Sequence, residues 1–212
     1  MVSLVDSKSA LLVIDVQNDF CPGGQLAVEE GHKVVPVINR IIGFFGLVAA
    51  TQDWHPADHL SFAANHSGKN VFDTVEVCGI DQILWPEHCI AGTRGAQFHP
   101  DLNSAAFDII LRKGRQKELD SYSAFLENDH RTSTGLEFYL KGLEVGRLFL
   151  CGIASDVCVY YSALDGVALG FEVFVIEDGC RGIDAPPGTL KERVDKMITE
   201  GVKVINSKEL EV

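Results

Sequence analysis

The stretch that organises this chain is an apolar run that turns abruptly into a helical pattern. Residues 148–163 read LFLCGIASDVCVYYSA. The first part is typical of a buried strand that ends at Gly152, and the second carries small and apolar residues at helical spacing. Cys158 falls at the start of the predicted helix, where free backbone N–H groups and the helix dipole favour a thiolate. Cys158 is therefore a candidate nucleophile, although a cysteine among apolar neighbours is as often part of a core.

Strand and helix patterns alternate along the rest of the chain. Apolar runs predict strands at residues 10–15, 47–51, 107–114, 148–151, 172–176 and 202–205. Helical spacing predicts helices at about residues 32–45, 136–143, 157–169 and 190–198. Such alternation is typical of a parallel sheet with helices on both faces. We expect one domain over residues 1–212, with a Rossmann-like three-layer α/β/α fold and a mainly parallel sheet of about six strands.

Composition restricts the partners. The 212 residues carry a formal net charge of −12, which argues against nucleic acid and anionic membranes because both require a basic face. A small-molecule partner fits better, and assembly into a homo-oligomer is left open. No apolar run has the length of a membrane span and the N-terminus lacks a signal-peptide pattern, so we expect a cytoplasmic protein. The six cysteines include no Cys-x-x-Cys pair, which favours reduced thiols.

Chemically capable side chains stand at the ends of the predicted strands. Asp15, Asp53 and Lys113 close or follow apolar runs, and Cys158 follows the run that ends at Gly152. The carboxyl ends of parallel strands share one edge, so these side chains should converge there. A cation favours the thiolate, and a carboxylate can take the thiol proton and pass it to a leaving group. Each residue also has a non-catalytic interpretation when it is taken singly. Lys113 can be a solvated charge, and Asp15 can be a turn or helix-capping residue.

The segment from residue 53 to about residue 105 has no sustained periodicity, and loops of this length inside a domain are usually functional. It contains five of the seven histidines, namely His55, His59, His66, His88 and His99. An extended Asp-x-His segment puts Asp53 and His55 on one side, and with His88 they can hold a divalent metal. His59 is either a fourth ligand or hydrogen-bonded within the loop; we favour the second, and a contribution from Ser61 is left open.

Five short motifs in order resemble the motifs of one enzyme family. They are DVQNDF at 15–20, TQDWHP at 51–56, WPEHC at 85–89, RKG at 112–114 and GIASDVCV at 152–159. Together they are similar to the nicotinamidases, which belong to the isochorismatase-like cysteine hydrolases. The resemblance covers nearly the whole chain, and five motifs in register are more specific than any one of them.

The resemblance implies a catalytic arrangement at the predicted sheet edge. It implies a triad of Asp15, Lys113 and Cys158. It also implies a cis peptide between Ile153 and Ala154, which would direct the backbone N–H groups of Ala154 and Cys158 into an oxyanion hole. The residue-level argument and the resemblance therefore point to the same group of side chains.

The resemblance also implies a metal and a substrate. The metal would be one divalent ion held by Asp53, His55 and His88, with Zn²⁺ expected first and Mn²⁺ or Fe²⁺ as alternatives. The reaction would convert nicotinamide to nicotinate and ammonia in NAD salvage, with pyrazinamide as a further substrate. The substrate ring would lie between aromatic side chains, namely Phe20, Trp85 and Tyr122. We favour a metal that anchors the ring nitrogen over one that activates water.

Two other functions compete with this interpretation. The first is a metal-free relative that hydrolyses carbamoyl or isochorismate-type substrates, for which the loop histidines would be dispensable. Isochorismatases of the superfamily lack the nucleophilic cysteine, so Cys158 argues against that branch. The second is a non-catalytic ligand-binding module on the same fold, since a fold does not determine function.

Overall fold

A computed structural model describes residues 4–210 and contains eight strands and four α-helices in that range. The strands are β1 Ser9–Ile14, β2 Val48–Asp53, β3 Thr74–Val77, β4 Ile80–Ile83, β5 Ile109–Lys113, β6 Arg147–Ile153, β7 Glu172–Arg181 and β8 Lys203–Ile205. The helices are α1 Val34–Ile41, α2 Leu136–Gly142, α3 Cys158–Ala168 and α4 Thr189–Thr199. Six strands form one sheet in the order β5-β2-β1-β6-β7-β8, and all its pairs are parallel. The predicted α/β fold is confirmed.

The two central strands, β1 and β6, are buried because neighbouring strands pair on both sides and helices cover the sheet. β1 is buried at all six positions, and β6 at every position after Arg147. The register pairs Val13 with Cys151 and Ile14 with Gly152. Gly152 has φ of +124°, and a Cβ atom there would lie 2.0 Å from the carbonyl oxygen of Ile14. Only glycine therefore allows β6 to turn this close to β1.

Helix α1 shows how the apolar spacing is used. It contacts β6 and β7 with a stripe of buried side chains, namely Val34, Val35, Ile38 and Ile41. The α-helix is shorter than the predicted 32–45, because tighter 3₁₀ turns form at Gly31–Lys33 and Ile42–Phe44. Among residues 4–210, no helix is long and apolar enough to cross a membrane.

A small hairpin interrupts the long segment that lacks periodicity in the sequence. β3 and β4 pair antiparallel around a two-residue turn at Cys78 and Gly79, which have φ of +50° and +81°. The interpretation of residues 53 to about 105 as one long loop is wrong here. Two positive φ values are typical of the tightest hairpin turns, but Asn or Asp usually precedes the glycine. Cysteine in that position is a weak turn signal.

Strand β7 is longer than the predicted 172–176. After the register shifts between Leu150 and Gly152, pairing resumes between Gly152 and Cys180 and between Ile153 and Arg181. The added residues include Glu177, Asp178 and Gly179, which interrupt the apolar pattern. Ladder pairing with β6 therefore extends the strand where composition predicts its end.

Candidate active site and metal centre

The carboxyl edge of the sheet brings distant side chains together, as the strand pattern predicts. Asp53 at the end of β2 pairs in register with Lys113 at the end of β5. Asp15 directly follows β1 with φ of +49°, a left-handed conformation that Asp tolerates better than most residues. Cys158 is the first residue of α3, just beyond the end of β6. We call Asp15, Lys113 and Cys158 the triad group.

Lys113 is the centre of the triad group. Its Nζ lies 2.9 Å from Oδ2 of Asp15, 2.5 Å from Oδ1 of Asp53 and 3.6 Å from Sγ of Cys158. It also donates a hydrogen bond of 2.7 Å to the carbonyl oxygen of Ser121. The side chain is completely buried. Lys113 is therefore not a solvated charge, because its ammonium is fully occupied by two carboxylates, a thiol and a backbone carbonyl.

Burial and the charges within the triad group together determine its protonation. It raises the pKa of Asp15, against the opposing effect of Lys113. Burial also raises the pKa of the Cys158 thiol well above its usual value, although Lys113 lowers it. Burial lowers the pKa of Lys113, but Asp15 and Asp53 outweigh it, so Lys113 stays charged. The thiolate that the helix position of Cys158 favours is thus opposed by desolvation, and attack by sulfur requires a base for its proton.

The backbone around the nucleophile candidate leaves two donors free. The Ile153–Ala154 peptide is cis, as the resemblance implies. The N–H of Val159 donates to the carbonyl oxygen of Ala154 over 3.0 Å, and so does that of Val157 over 3.1 Å. Within residues 4–210, the N–H groups of Ala154 and Cys158 donate to no other protein atom. Both belong to residues that line the same pocket.

A second cluster, the ligand set of Asp53, His55 and His88, lies beside the triad group. Its ligand atoms all lie within 4.8 Å of one another and all three residues are buried. Oδ2 of Asp53 is 3.7 Å from Nε2 of His55 and 3.9 Å from Nε2 of His88. Two ligand atoms of one tetrahedral zinc ion are about 3.4 Å apart. The spacing therefore suits a divalent cation between these atoms.

The hydrogen bonds of the two imidazoles also fit a metal. Nδ1 of His55 lies 2.8 Å from the carbonyl oxygen of Gly114, and Nδ1 of His88 lies 2.8 Å from that of Pro86. A carbonyl can only accept, so each neutral ring carries its proton on Nδ1 and turns the lone pair of Nε2 towards Asp53. Burial lowers the pKa of His88 to about 4. The neutral ring that a metal requires is therefore favoured.

Asp53 is held in its ionised form. Burial would raise its pKa, but Lys113, followed by His55, lowers the pKa below the ordinary value for aspartate. For His55, burial lowers the pKa and Asp53 raises it, with a net increase. In the absence of a cation, Asp53 thus stabilises charge on its neighbours. A bound divalent ion would replace the charged His55 as a counter-ion of Asp53 and would bind both imidazoles in their neutral form.

Two residues that position the ligand set were not identified from the sequence. The side-chain amide of Gln17 forms two hydrogen bonds with the backbone of Asp53. Its Oε1 accepts the Asp53 N–H over 2.8 Å, and its Nε2 donates to the Asp53 carbonyl oxygen over 2.8 Å. Gly114 has φ of +61°, and a Cβ atom there would lie 2.4 Å from Cε1 of His55. The available signal for each residue was its place in a motif. Gln17 lies two residues after Asp15 in the first motif, and Gly114 is the last residue of the RKG motif.

The side chain of His59 forms hydrogen bonds within the loop, which is the alternative that we favoured. Its Nδ1 lies 2.7 Å from the hydroxyl oxygen of Ser61 and accepts the Ser61 N–H over 3.1 Å. Burial lowers its pKa. His59, His55 and Asp120 also form a buried group whose ligand atoms lie within 4.8 Å of one another. Asp120 was missed because no motif or strand end marks it.

An aromatic pocket lies above both clusters. It encloses about 350 Å³ of space, part of it open to solvent, and its wall includes the predicted aromatic residues Phe20, Trp85 and Tyr122. Nε1 of Trp85 donates a hydrogen bond of 3.1 Å to the hydroxyl of Tyr122, which orients both rings. The remaining wall residues are Leu26, Asp53, His88, Asp120, Ala154, Val157, Cys158 and Ile183. Asp15 and Lys113 lie beneath this wall, so only the sulfur of the triad group faces the pocket.

Known proteins resemble this chain in sequence and architecture. The model of the isochorismatase domain matches residues 9–209. A nicotinamidase of Acinetobacter baylyi is 44% identical over 204 residues, covering 96% of this chain and 95% of that protein. A nicotinamidase and pyrazinamidase structure from Acinetobacter baumanii is 50% identical, with a TM-score of 0.94 and coverage of 97% and 99%. A pyrazinamidase of Pyrococcus horikoshii in complex with zinc is 34% identical, with a TM-score of 0.76 and coverage of 94% and 99%. The chain therefore belongs to the isochorismatase domain family.

Proposed function

We propose that the chain is a nicotinamidase, an amidohydrolase that converts nicotinamide to nicotinate and ammonia through a thioester on Cys158. The observation that carries this proposal is that the triad group and the ligand set adjoin beneath one aromatic pocket. Relatives named as nicotinamidases, at 44% and 50% identity over nearly the full chain, support the substrate. We assign the activity to a single domain formed by residues 1–212.

The first half of the reaction forms the thioester. Sγ of Cys158 bonds to the carboxamide carbon while its proton passes to Asp15, whose carboxylate lies within 4.8 Å of the sulfur. The carbonyl electron pair moves to oxygen, where the free N–H groups of Ala154 and Cys158 stabilise the negative charge. Asp15 then gives its proton to the nitrogen, the carbon–nitrogen bond breaks, and ammonia leaves.

The second half regenerates the enzyme. Asp15, again a carboxylate, takes a proton from a water molecule whose oxygen attacks the thioester carbon. The resulting oxyanion collapses, the carbon–sulfur bond breaks, and Asp15 returns a proton to the sulfur. The nicotinic acid that leaves loses its proton to the released ammonia or to water and becomes nicotinate. Lys113 contacts Asp15, Asp53 and Cys158 throughout, so its charge offsets that of whichever of them is ionised.

The ligand set would hold one divalent cation, and we propose Zn²⁺, in keeping with the zinc-bound pyrazinamidase relative. Such an ion would supply a Lewis acid for the pyridine nitrogen of the substrate. The aromatic walls, Phe20, Trp85 and Tyr122, confine a planar ring so that its amide faces the sulfur. A pyrazine ring has the same shape and a nitrogen in the equivalent position, so pyrazinamide is expected to be a second substrate.

The decisive experiment measures ammonia and nicotinate released from nicotinamide by the purified protein. Equimolar formation of both products supports the proposal. Hydrolysis of carbamoyl or isochorismate-type substrates without action on nicotinamide would favour the metal-free relative. Binding of nicotinamide without any turnover, in protein of verified metal content, would favour a non-catalytic module.

A further inference from the structure

A second cavity, which encloses about 970 Å³ of space, part of it open to solvent, lies against the pocket. The two spaces share four lining side chains, Trp85, Tyr122, Val157 and Ile183. The remaining walls come from Phe72 and the β3–β4 hairpin that follows it, from α3 and the segment before it, and from α4 and the segment before it. We call this space the outer cavity. Only single side chains separate it from the pocket in which the amide would react.

The outer cavity contains a cation that the pocket lacks. Among the described residues that line either space, Arg193 on α4 is the one lysine or arginine. The outer cavity has one other charged wall residue, Asp156. Its carboxylate accepts the N–H groups of Ile183 over 2.9 Å and of Asp184 over 2.7 Å. The charge of Asp156 is therefore occupied by the backbone, whereas the charge of Arg193 faces the cavity.

Arg193 is oriented but not neutralised. Its guanidinium carbon lies 4.4 Å from the centre of the Tyr160 ring and 5.8 Å from that of Tyr161. Within residues 4–210 no carboxylate forms an ion pair with it, its Nε is buried without a hydrogen-bond partner, and its polar side-chain neighbour is Tyr160. A guanidinium stacked on an aromatic ring keeps its terminal N–H groups available for hydrogen bonds in its own plane.

The remaining walls favour a flat, apolar ligand. Phe72, Trp85, Tyr122 and Tyr161 all line the outer cavity. The Phe72 and Trp85 rings meet edge to face at 5.8 Å, and Phe72 is 56% exposed at the rim. Aromatic walls bind planar rings through their faces and edges. With a single free guanidinium, the complementary ligand is a planar ring that carries one carboxylate.

We propose that the outer cavity is a second subsite that binds a planar aromatic carboxylate through Arg193. Hydrolysis of an aromatic amide in the pocket produces this class of molecule, so the link to the product rests on the proposed function. A carboxylate that leaves the pocket past the shared side chains meets the guanidinium. Accumulated product would then occupy the space beside the pocket and slow the entry of the next amide.

Direct binding of benzoate by calorimetry to the metal-loaded protein tests the subsite. Benzoate is planar and anionic but has no ring nitrogen for a metal, so the proposed ring anchor contributes nothing to its binding. Arg193→Gln should weaken benzoate binding by at least about tenfold, because a charge-assisted pair of hydrogen bonds is lost. Phe72→Ser, at the exposed rim on another segment, should also weaken it. Lys191→Gln removes an equal charge from α4 outside the cavity wall and should have no effect on affinity.

The readouts separate this inference from the proposed function. Benzoate binding does not depend on turnover, so a protein inactive on nicotinamide can still confirm the subsite. Equal affinity of the wild type and Arg193→Gln, or no binding to the wild type at millimolar benzoate, would overturn the subsite even if nicotinamide is hydrolysed. Nicotinate added to the assay should inhibit ammonia release by the wild type more strongly than by Arg193→Gln.

Discussion

At the scale of the residue, one buried cation organises the candidate active site. Lys113 contacts Asp15 and Asp53, and neither carboxylate touches bulk solvent appreciably. Two buried carboxylates without a cation would repel each other, and desolvation would favour their protonation. The lysine therefore links the base of the triad group to the ligand set through a single ammonium.

Replacing Cys158 with Ala should abolish hydrolysis and leave the fold unchanged. The change removes only a sulfur atom at the pocket wall, so the expected loss of stability is about 1 kcal/mol. Turnover should fall by at least about 1,000-fold, because no other nucleophile faces the amide carbon. Ammonia release and thermal melting measure the two effects.

The matched control for this variant is Cys180→Ala. Cys180 is buried on β7 and lies outside the pocket wall, so its replacement should leave turnover near the wild-type value. Residual activity of Cys158→Ala within about tenfold of the wild type would exclude covalent catalysis by this residue.

Replacing Lys113 with Met should slow alkylation of Cys158 and destabilise the protein. Lys113 lowers the pKa of the thiol, so its removal leaves less thiolate at neutral pH. The two carboxylates lose their cation, for which about 3–5 kcal/mol of stability is a typical loss. Iodoacetamide labelling, followed by mass spectrometry, measures the first effect and chemical denaturation the second.

Lys117→Met is the control for this pair of measurements. Lys117 forms an exposed ion pair with Asp58 at 2.8 Å, so its removal should change stability far less than the removal of the buried Lys113, because solvent screens the exposed pair. Unchanged labelling of Cys158 in a Lys113→Met variant that is still folded would contradict the electrostatic role.

At the scale of the element, turns after the strands orient the site. The turn after β5 supplies the Gly114 carbonyl that fixes the tautomer of His55. The loop after β1 supplies Gln17, which holds the backbone of Asp53 at the end of β2. Each turn therefore positions a side chain that belongs to a neighbouring strand or loop. This is how open α/β sheets build ligand sites at their carboxyl edge.

Replacing Gly114 with Ala should reduce metal content and activity together. A Cβ atom would lie 2.4 Å from Cε1 of His55, and φ of +61° strains any residue that carries a side chain. His55 would have to shift from its position in the ligand set. Elemental analysis and ammonia release measure the outcome, and stability should fall by about 1–3 kcal/mol.

Gly68→Ala separates backbone strain from the collision with His55. Gly68 has φ of +73° and no heavy atom within 4 Å of an added Cβ, so the Gly68→Ala variant has backbone strain but no steric collision. Its metal content and turnover should stay at the wild-type level. Equal metal content in both variants would show that Gly114 does not position His55.

At the scale of the whole molecule, the ligand set ties the sheet to the long loop. Asp53 ends β2, His55 lies just beyond it, and His88 is more than thirty residues further along the chain, after the β3–β4 hairpin. A bound ion would hold this loop against the sheet edge, and ligands that bind only the native state stabilise it. The loop carries Trp85, a wall shared by the pocket and the outer cavity.

Replacing His88 with Ala should reduce bound metal to below about a tenth of the wild-type content, because two protein ligands rarely hold zinc against water. Hydrolysis of nicotinamide should fall with it. Elemental analysis and the ammonia assay measure both. His99→Ala, a loop histidine outside the ligand set, should retain metal and activity.

Chelation of the wild-type protein should lower both the thermal midpoint and the activity, and metal add-back should restore them. The lost binding energy lowers the midpoint, because the native state alone contains the ligand set. Full activity in a verified metal-free sample would contradict the hypothesis that the metal anchors the nitrogen of the substrate ring. A lower midpoint with unchanged activity would instead assign the ion a structural role.

The amino-acid sequence by itself determined the strands, the class of fold and the residues that stand at the sheet edge. Runs such as residues 10–15 and 148–151 are apolar throughout because both faces of a central parallel strand are buried, and that pattern is local. The acid after β1 and the lysine that ends β5 are equally visible in the sequence. Their convergence followed from the parallel arrangement alone.

Only the tertiary structure decided the partners of those residues. The strand order β5-β2-β1-β6-β7-β8 sets Lys113 beside Asp53, and no local pattern encodes that order. The direction of the His55 lone pair depends on a carbonyl 59 residues away. The outer cavity depends on Arg193 of α4 facing the β3–β4 hairpin. Periodicity reports which faces are buried, whereas hydrogen-bond partners and cavities arise from packing between segments that are distant in sequence.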